Sequence, residues 1–265
     1  KTIMHVSRVA CCDNGDTVIS GGYRGELYII GDDGKSKMKL ATYEADEDKK
    51  IGCVWGITIS QQGHILIVDG TKYVKVFNNA WNFLHCFSTL TPNEDPYNVS
   101  VNTRCITIDK EGHVLVGDCG RQMITIHTCP DGTLVRKVKC NIGLWMTVNS
   151  KKQILYQSNQ KGSLHNQIKA IRNNTGNKVF TFSPKIDEDL TGGKVSCVKG
   201  IVCDANDNIY LAMCVGVKQS DNEWHGISNT GHLHMYNPEG QYQRCIASGI
   251  ELPSGLTITP DGSHL

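Results

Sequence analysis

Short apolar runs recur along the chain and are separated by polar turns, most of which contain glycine. In one copy, residues 56–59 are followed by a turn at Gly63 and then by a second apolar run at 65–69. Residues 105–118 repeat the same order at the same spacing. Continuous apolar runs of this length are typical of strands that are buried on both faces. The pattern therefore predicts short antiparallel strands joined by tight turns.

This arrangement of strand, turn and strand occurs five times, and a sixth copy contains the first strand and the turn. In every copy, one turn position lies seven residues after a residue near the start of the first strand. The six pairs are Arg8 and Gly15, Gly56 and Gly63, Cys105 and Gly112, Trp145 and Lys152, Gly200 and Asp207, and Gly255 and Gly262. The copies start 40 to 55 residues apart, a period that is typical of propeller blades.

Each of the first five copies continues with two more predicted strands. The third strands are expected at residues 26–30, 73–77, 123–127, 167–171 and 232–236. Four strands per repeat predict an all-β, six-bladed β-propeller of four-stranded antiparallel blades, in a single domain across residues 1–265. The blades are expected to start near residues 7, 55, 104, 144, 199 and 254. Because the sixth copy reaches Leu265 before its second strand, we expect an incomplete last blade and a chain cut from a longer protein.

Charge and cysteine content narrow the function classes. The chain has 27 Lys and Arg against 26 Asp and Glu, so no overall attraction to DNA or to an anionic membrane is expected. Its 12 cysteines contain no CxxC motif, and most lie in strand patterns. We interpret them as thiols buried in a reducing compartment, which predicts a cytoplasmic location. An extracellular scaffold is the alternative, and it would require disulfides among these cysteines.

The repeats resemble the NHL family, whose pattern is roughly Gly-Ile-Ala-Val-Asp, a glycine turn, Ile-Tyr-Val-Ala-Asp, a polar loop and Ile-x-Val-Phe. Residues 56–77 and 200–212 match this pattern best, while Cys105 and Trp145 replace the leading glycine. The resemblance implies recognition of a protein partner or of single-stranded RNA. It also implies a place at the C-terminus of a tripartite-motif ubiquitin ligase, whose ligase activity would belong to other domains.

The residues that precede the first strands are expected to form a ring near the mouth of a central channel. They are Ser7, Trp55, Arg104, Leu144, Lys199 and Ser254. A metal-dependent hydrolase of the gluconolactonase or paraoxonase type is the alternative function, and it holds its cation here with Glu, Asp and Asn. Hard cations need such oxygen ligands, and this ring has no carboxylate or amide. We therefore expect a non-catalytic protein with no metal or other cofactor.

A binding face is expected on the loops beside this ring. Its predicted contact residues are Trp55, Arg104, Lys199, Tyr23, Arg24, Lys72, Tyr73, Arg121, Gln122, Trp224 and His225. Aromatic rings beside cations suit stacked bases and phosphates, but they also suit protein hot spots. Acidic stretches at 44–48 and 187–189 are expected on the same face, where they would repel phosphate. A protein partner is therefore preferred to RNA.

Other polar residues are given structural roles. Asp69 and Asp118 end second strands, where short carboxylates cap loop N–H groups. His64 and His113 occupy equivalent turn positions and are not expected to bind a metal. His232 and His234 lie two residues apart on a third strand and so share one face. With no third ligand evident in the sequence, we interpret both as ordinary surface residues.

Overall fold

A computed structural model describes residues 6–12, 14–21, 26–31, 33–40, 50–95, 97–158, 167–184, 195–216, 227–251, 253–259 and 261–265. The chain divides into two compact units. The first takes the described residues up to Leu144 together with Thr257–Leu265, and the second extends from Trp145 to Leu256.

The first unit contains three four-stranded antiparallel sheets, which correspond to the first three repeats. The first sheet consists of β1 (Val6–Cys11), β2 (Thr17–Gly21), β3 (Glu26–Ile30) and β4 (Ser36–Leu40). The second consists of β5 (Gly56–Ile59), β6 (Ile65–Val68), β7 (Tyr73–Phe77) and β8 (Phe83–Ser88). The third consists of β9 (Thr103–Ile108), β10 (Val114–Asp118), β11 (Met123–His127) and β12 (Leu134–Lys139).

Two further sheets correspond to the fourth and fifth repeats. The fourth consists of β13 (Ile142–Val148), which contains the boundary between the units, β14 (Gln153–Ser158), β15 (Gln167–Arg172) and β16 (Lys178–Phe182). The fifth consists of β17 (Val195–Cys203), β18 (Ile209–Gly216), β19 (Ile227–Tyr236) and β20 (Tyr242–Glu251). In all five sheets the strands are hydrogen-bonded in chain order, so the predicted four-stranded antiparallel blade is confirmed.

The predicted number of blades is wrong, because the described residues form five sheets where the sequence predicted six. The sixth repeat keeps its turn, in which the Gly262 N–H donates to the Thr259 carbonyl at 2.8 Å. Residues 253–259 and 261–265 nevertheless contain no strand. A β-ladder requires a neighbouring strand to accept and donate its hydrogen bonds, and these described residues join none of the five sheets.

The second strands of the second and third sheets, β6 and β10, are buried on both faces. In β6, all four residues are buried. Ile65 and Ile67 belong to a core shared with the first sheet, while Leu66 and Val68 belong to a core shared with the third sheet. In the second unit, residues of β14, β15 and β18 form one core with Tyr236 and Trp145. Burial on both sides explains why these strands are continuous apolar runs rather than alternating ones.

No helix long and apolar enough to cross a membrane is present among the described residues. The twelve cysteines all lie in the described ranges, and none forms a disulfide there. Cys105 and Cys214 are buried, and the other ten are partly exposed. The expectation of mainly buried thiols therefore holds for two of them only.

Candidate functional site

A cation–π pair lies where the chain enters the second and third sheets. The guanidinium carbon of Arg104 is 3.7 Å from the centroid of the Trp55 ring. Arg104 Nε is buried and has no hydrogen-bond partner in the described part of the chain, where Arg104 also forms no ion pair. Two of the predicted contact residues are therefore held together, and no residue in the described part of the chain uses the Arg104 Nε donor.

Arg8 adds a second guanidinium to this cluster. Its side chain is buried, and its Nε donates a hydrogen bond to the Trp55 carbonyl. The pKa of Arg8 is lowered to about 10, mainly by burial; Cys105 raises it, and the nearby Arg104 charge lowers it. Two neighbouring cations repel each other in a medium of low dielectric constant, so an anion bound between them would be favoured.

The Trp55 ring is supported by the loop that follows β6. A methyl group on Gly70 would lie 3.4 Å from Trp55 Cδ1 and Nε1, and Gly70 has a positive φ of 88°. One residue later, the Thr71 carbonyl accepts a hydrogen bond from the Thr103 hydroxyl at 2.7 Å. Gly70 therefore leaves room for the indole beside this loop, and the Thr103 hydrogen bond ties the same loop to the start of β9.

Lys72 and Tyr73 also remain at the surface of this loop. The Lys72 ammonium lies 5.4 Å from the centroid of the Tyr73 ring, and both side chains are half-buried. The Lys72 carbonyl accepts hydrogen bonds from the amide and hydroxyl of Thr89. The pair is compatible with ligand contact, although a lysine over a ring is also a common surface arrangement.

Arg121 does not present its charge to a ligand, in contrast to the sequence-based expectation. Its side chain is only 4% exposed and forms ion pairs with Asp118 at 2.6 Å and Glu94 at 2.9 Å. It also donates to the carbonyl and hydroxyl of Thr89. Gln122 has a left-handed backbone and donates through Nε2 to the Cys119 carbonyl. Both residues brace the loop after β10.

The strand-terminal aspartates have the capping role that was predicted. Asp118 accepts hydrogen bonds from the backbone N–H groups of Asn102, Gly120 and Arg121. Asp69 accepts from the N–H groups of Gly52 and Thr71 and forms a buried ion pair with Lys75. Burial raises the pKa of Asp69. The hydrogen bond from Lys75, the Lys75 charge and the hydrogen bonds from Gly52 and Thr71 lower it by more, so the pKa of Asp69 is below its ordinary value.

Of the other predicted ring residues, Ser7 lies in β1. Leu144 is exposed, with 38% of its surface accessible. In the second unit, Lys199 is half-buried and its carbonyl accepts a hydrogen bond from the Gly255 N–H at 2.8 Å. Ser254 is half-buried in a segment without regular structure. Of the predicted contact residues, Tyr23, Arg24, Trp224 and His225 lie outside the described residues, as do both acidic stretches.

Two features were missed or misjudged in the sequence. Arg8 occupies the position that glycine takes in the second, fifth and sixth repeats, and a charge in place of glycine was the signal that could have identified it. The interpretation of His232 and His234 as surface residues is wrong, because they are 7% and 3% exposed. One nitrogen of each ring also lies within 4.8 Å of the sulfur of Cys245, a residue of the next strand.

The turn histidines are hydrogen-bonded to their own turns. His113 lies 3.2 Å from the Asp109 carboxylate, and Asp109 also accepts the backbone N–H groups of Glu111 and His113. Asp109, Glu111 and His113 have ligand atoms within 4.8 Å of one another. Because Asp109 already closes the turn through these hydrogen bonds, the group has a structural explanation.

Comparison with solved structures identifies the fold. The chain is 13% identical to a streptogramin B lyase over 97% of this chain and 88% of that one, with a TM-score of 0.58. It is 16% identical to virginiamycin B lyase from Staphylococcus aureus over 97% and 89%, with a TM-score of 0.56. A Bacteroides caccae protein of unknown function is 15% identical over 92% and 82%, with a TM-score of 0.58.

The fold is a β-propeller. At these identities, the likeness to the solved structures shows the fold alone. No family model matches the chain, and a search of curated proteins finds no match. The propeller part of the sequence-based prediction is therefore confirmed, and the NHL resemblance stays a prediction.

Proposed function

We propose that this propeller is a non-catalytic recognition domain that binds a protein partner by holding an acidic side chain of that partner at Arg104. The observation that carries the proposal is the Arg104 guanidinium, stacked on Trp55 with no carboxylate paired to it in the described part of the chain. Arginine over an aromatic ring is a common interface anchor, and its planar donors suit a carboxylate. The adjacent Arg8 charge would strengthen the attraction for an anion.

A protein partner is favoured over RNA by the number of cations available. RNA binding without sequence preference needs a groove of positive charge that follows several phosphates. In the first unit, Arg121 and Lys75 are already neutralised by buried carboxylates. Arg104 and Lys72 remain at the predicted contact positions there, which is enough for one or two carboxylates. The net charge of +1 adds no general attraction for a polyanion.

The resemblance of the repeats to the NHL pattern supports the same class of function. In this proposal the chain recognises the substrate of a ubiquitin ligase of the tripartite-motif type, and the ligase activity belongs to other domains. Support for this finer assignment comes from the leading glycines and from the matched spacing around residues 56–77 and 200–212.

The proposal is tested with arrayed peptides that carry Asp or Glu, the same peptides with Asn or Gln, and a random single-stranded RNA pool. We expect the chain to prefer the acidic peptides. Arg104→Gln should weaken that binding at least about tenfold, because a hydrogen bond to a charged group contributes about 1.5 to 3 kcal/mol. The matched control is Lys110→Gln, since Lys110 is an exposed cation in the turn between β9 and β10.

Two results would contradict the proposal. Equal binding of the acidic peptides and their amide counterparts would show that no carboxylate is recognised. RNA binding at physiological salt that is tighter than peptide binding and is lost in Arg104→Gln would identify an RNA reader instead. Thermal denaturation of both variants establishes that neither result reflects unfolding.

A further inference from the structure

Two histidines and a cysteine converge within the fifth sheet. Alternation along β19 puts His232 and His234 on the same face, and their ring centroids are 5.9 Å apart. The register between β19 and β20 pairs His234 with Cys245. One ligand atom from each of the three residues lies within 4.8 Å of the other two.

The surroundings of these groups are unusual for polar side chains. Both histidines are buried, and Cys245 is half-buried. His232 Nδ1 has no hydrogen-bond partner in the part of the chain that the structure describes. Burying a nitrogen without a hydrogen bond costs free energy, and a coordinated cation would remove that cost.

Aromatic packing fixes the orientation of one ligand. The rings of His234 and Tyr242 meet edge to face with centroids 5.4 Å apart, and Tyr236 lies 6.5 Å from His234. The strand register shifts between Leu233 and His234. Such irregularities redirect side chains and are frequent beside functional sites. The imidazole is therefore positioned by its neighbours before any ligand arrives.

The donor set selects the metal. Imidazole nitrogen and thiolate sulfur are the ligands of Zn²⁺, whereas Ca²⁺ and Mg²⁺ need oxygen. Tetrahedral zinc with ordinary bond lengths separates such donor atoms by about 3.3 to 3.6 Å. The donor atoms are at most 4.8 Å apart, so the closing movement is at most about 1.5 Å, which side-chain rotation can supply.

We propose that His232, His234 and Cys245 bind a Zn²⁺ ion, with the fourth position left to water or to an external ligand. Binding replaces the Cys245 thiol proton, which currently faces the Ala247 carbonyl at 3.2 Å, and releases it to solvent. The ion fastens the outer strand β20 to β19 and stabilises the second unit. The proposal is independent of the peptide-binding function at Arg104.

The experiment uses the full chain, freed of metal with a chelator, and titrates it with Zn²⁺ against a chromophoric competitor. We expect about one tightly bound zinc per chain and a higher melting temperature when it is present. Cys245→Ala should weaken binding at least about tenfold and abolish the thermal shift. Cys86→Ala is the matched control, since Cys86 is also half-buried and lies on the outer strand β8; it should bind zinc like the parent.

Spectroscopy keeps the test decisive if Cys245→Ala fails to fold. X-ray absorption of the zinc-loaded parent should show one sulfur at about 2.3 Å and two nitrogens at about 2.0 to 2.1 Å. A zinc shell without sulfur, the absence of stoichiometric binding, or equal affinity in Cys245→Ala would each overturn the proposal. Zinc bound mainly by Asp109, Glu111 and His113 would give the sulfur-free shell.

Discussion

One turn position has the same backbone conformation in every copy of the repeat. In each of the six pairs that define the repeat, the second residue, which lies in the turn seven positions after the first, has a positive φ. Glycine occupies four of these positions, where it adopts this conformation without a steric penalty. Lys152 and Asp207 occupy the other two, with φ of 57° and 66°. The spacing found in the sequence is thus a conformational constraint that survives even where glycine does not.

The two exceptions should respond differently to glycine. A left-handed conformation costs a non-glycine residue about 1 to 2 kcal/mol, so Lys152→Gly should raise the free energy of unfolding by about 0.5 to 1 kcal/mol. Asp207 is 3% exposed and accepts hydrogen bonds from the backbone N–H and hydroxyl of Ser150. Asp207→Gly should therefore destabilise by about 1 to 3 kcal/mol.

Urea denaturation of the two variants measures both effects against the parent. If both variants had a higher free energy of unfolding than the parent, the backbone conformation alone would dominate at this turn position. If both had a lower one, the side chain alone would dominate. Lys152→Ala is the control for loss of the lysine side chain, because alanine keeps the steric penalty that glycine relieves.

Where the first and second strands of a sheet pair, a small residue on one strand lies opposite a larger residue on the other. Gly56 of β5 pairs with Val68, and a methyl group on Gly56 would approach Val68 and Ile106 to 3.0 Å or less. In the third sheet the glycine lies on the second strand instead, because Cys105 of β9 pairs with Gly117 of β10. A methyl group on Gly117 would lie 2.4 Å from Cys105 Sγ. The departure of Cys105 from the glycine pattern is thus compensated on the adjacent strand.

This compensation predicts a measurable coupling between β9 and β10. Gly117→Val should destabilise the protein by about 1 to 3 kcal/mol, because it overpacks a buried site. Adding Cys105→Gly should recover part of that loss and give a coupling energy of about 0.5 to 3 kcal/mol in a double-mutant cycle. Recovery should be incomplete, since Ile142 also lies 3.2 Å from the added group. Strictly additive effects of the two substitutions would refute the argument.

Across the chain, each sheet is made from one contiguous stretch, and its strands differ in burial by position. The second strands β6 and β10 are buried at every residue, whereas the outer strands β16 and β20 consist of half-buried and exposed residues only. Local pairing of this kind keeps the sequence separation of contacts small.

Native-state hydrogen exchange should follow this gradient in every sheet. Amides in β6 and β10 should exchange most slowly, because opening them exposes the cores on both faces. Amides in β16 and β20 should exchange fastest among the strands. Mass spectrometry of peptide fragments measures the order, and equal protection of second and outer strands would contradict it. Zinc should slow exchange in β20 but leave β16 unchanged if the proposed metal site exists.

The sequence by itself determined the blade. Apolar runs, turn glycines and constant spacing act within about fifty residues, so local propensity and the two-sided burial of the second strands suffice to specify four antiparallel strands. The capping roles of Asp69 and Asp118 followed from their position at strand ends. The number of sheets did not follow, because a repeat becomes a sheet only when its strands find hydrogen-bonded neighbours.

Only the tertiary structure decided which polar residues meet. Arg104 stacks on a tryptophan 49 positions earlier, while Arg121 is neutralised by Glu94 and is withdrawn from the surface. Cys245 joins His234 because of the register of β19 against β20, which bulges shift by single residues. Such encounters depend on packing between distant segments, and the spacing of residues along one strand carries no record of them.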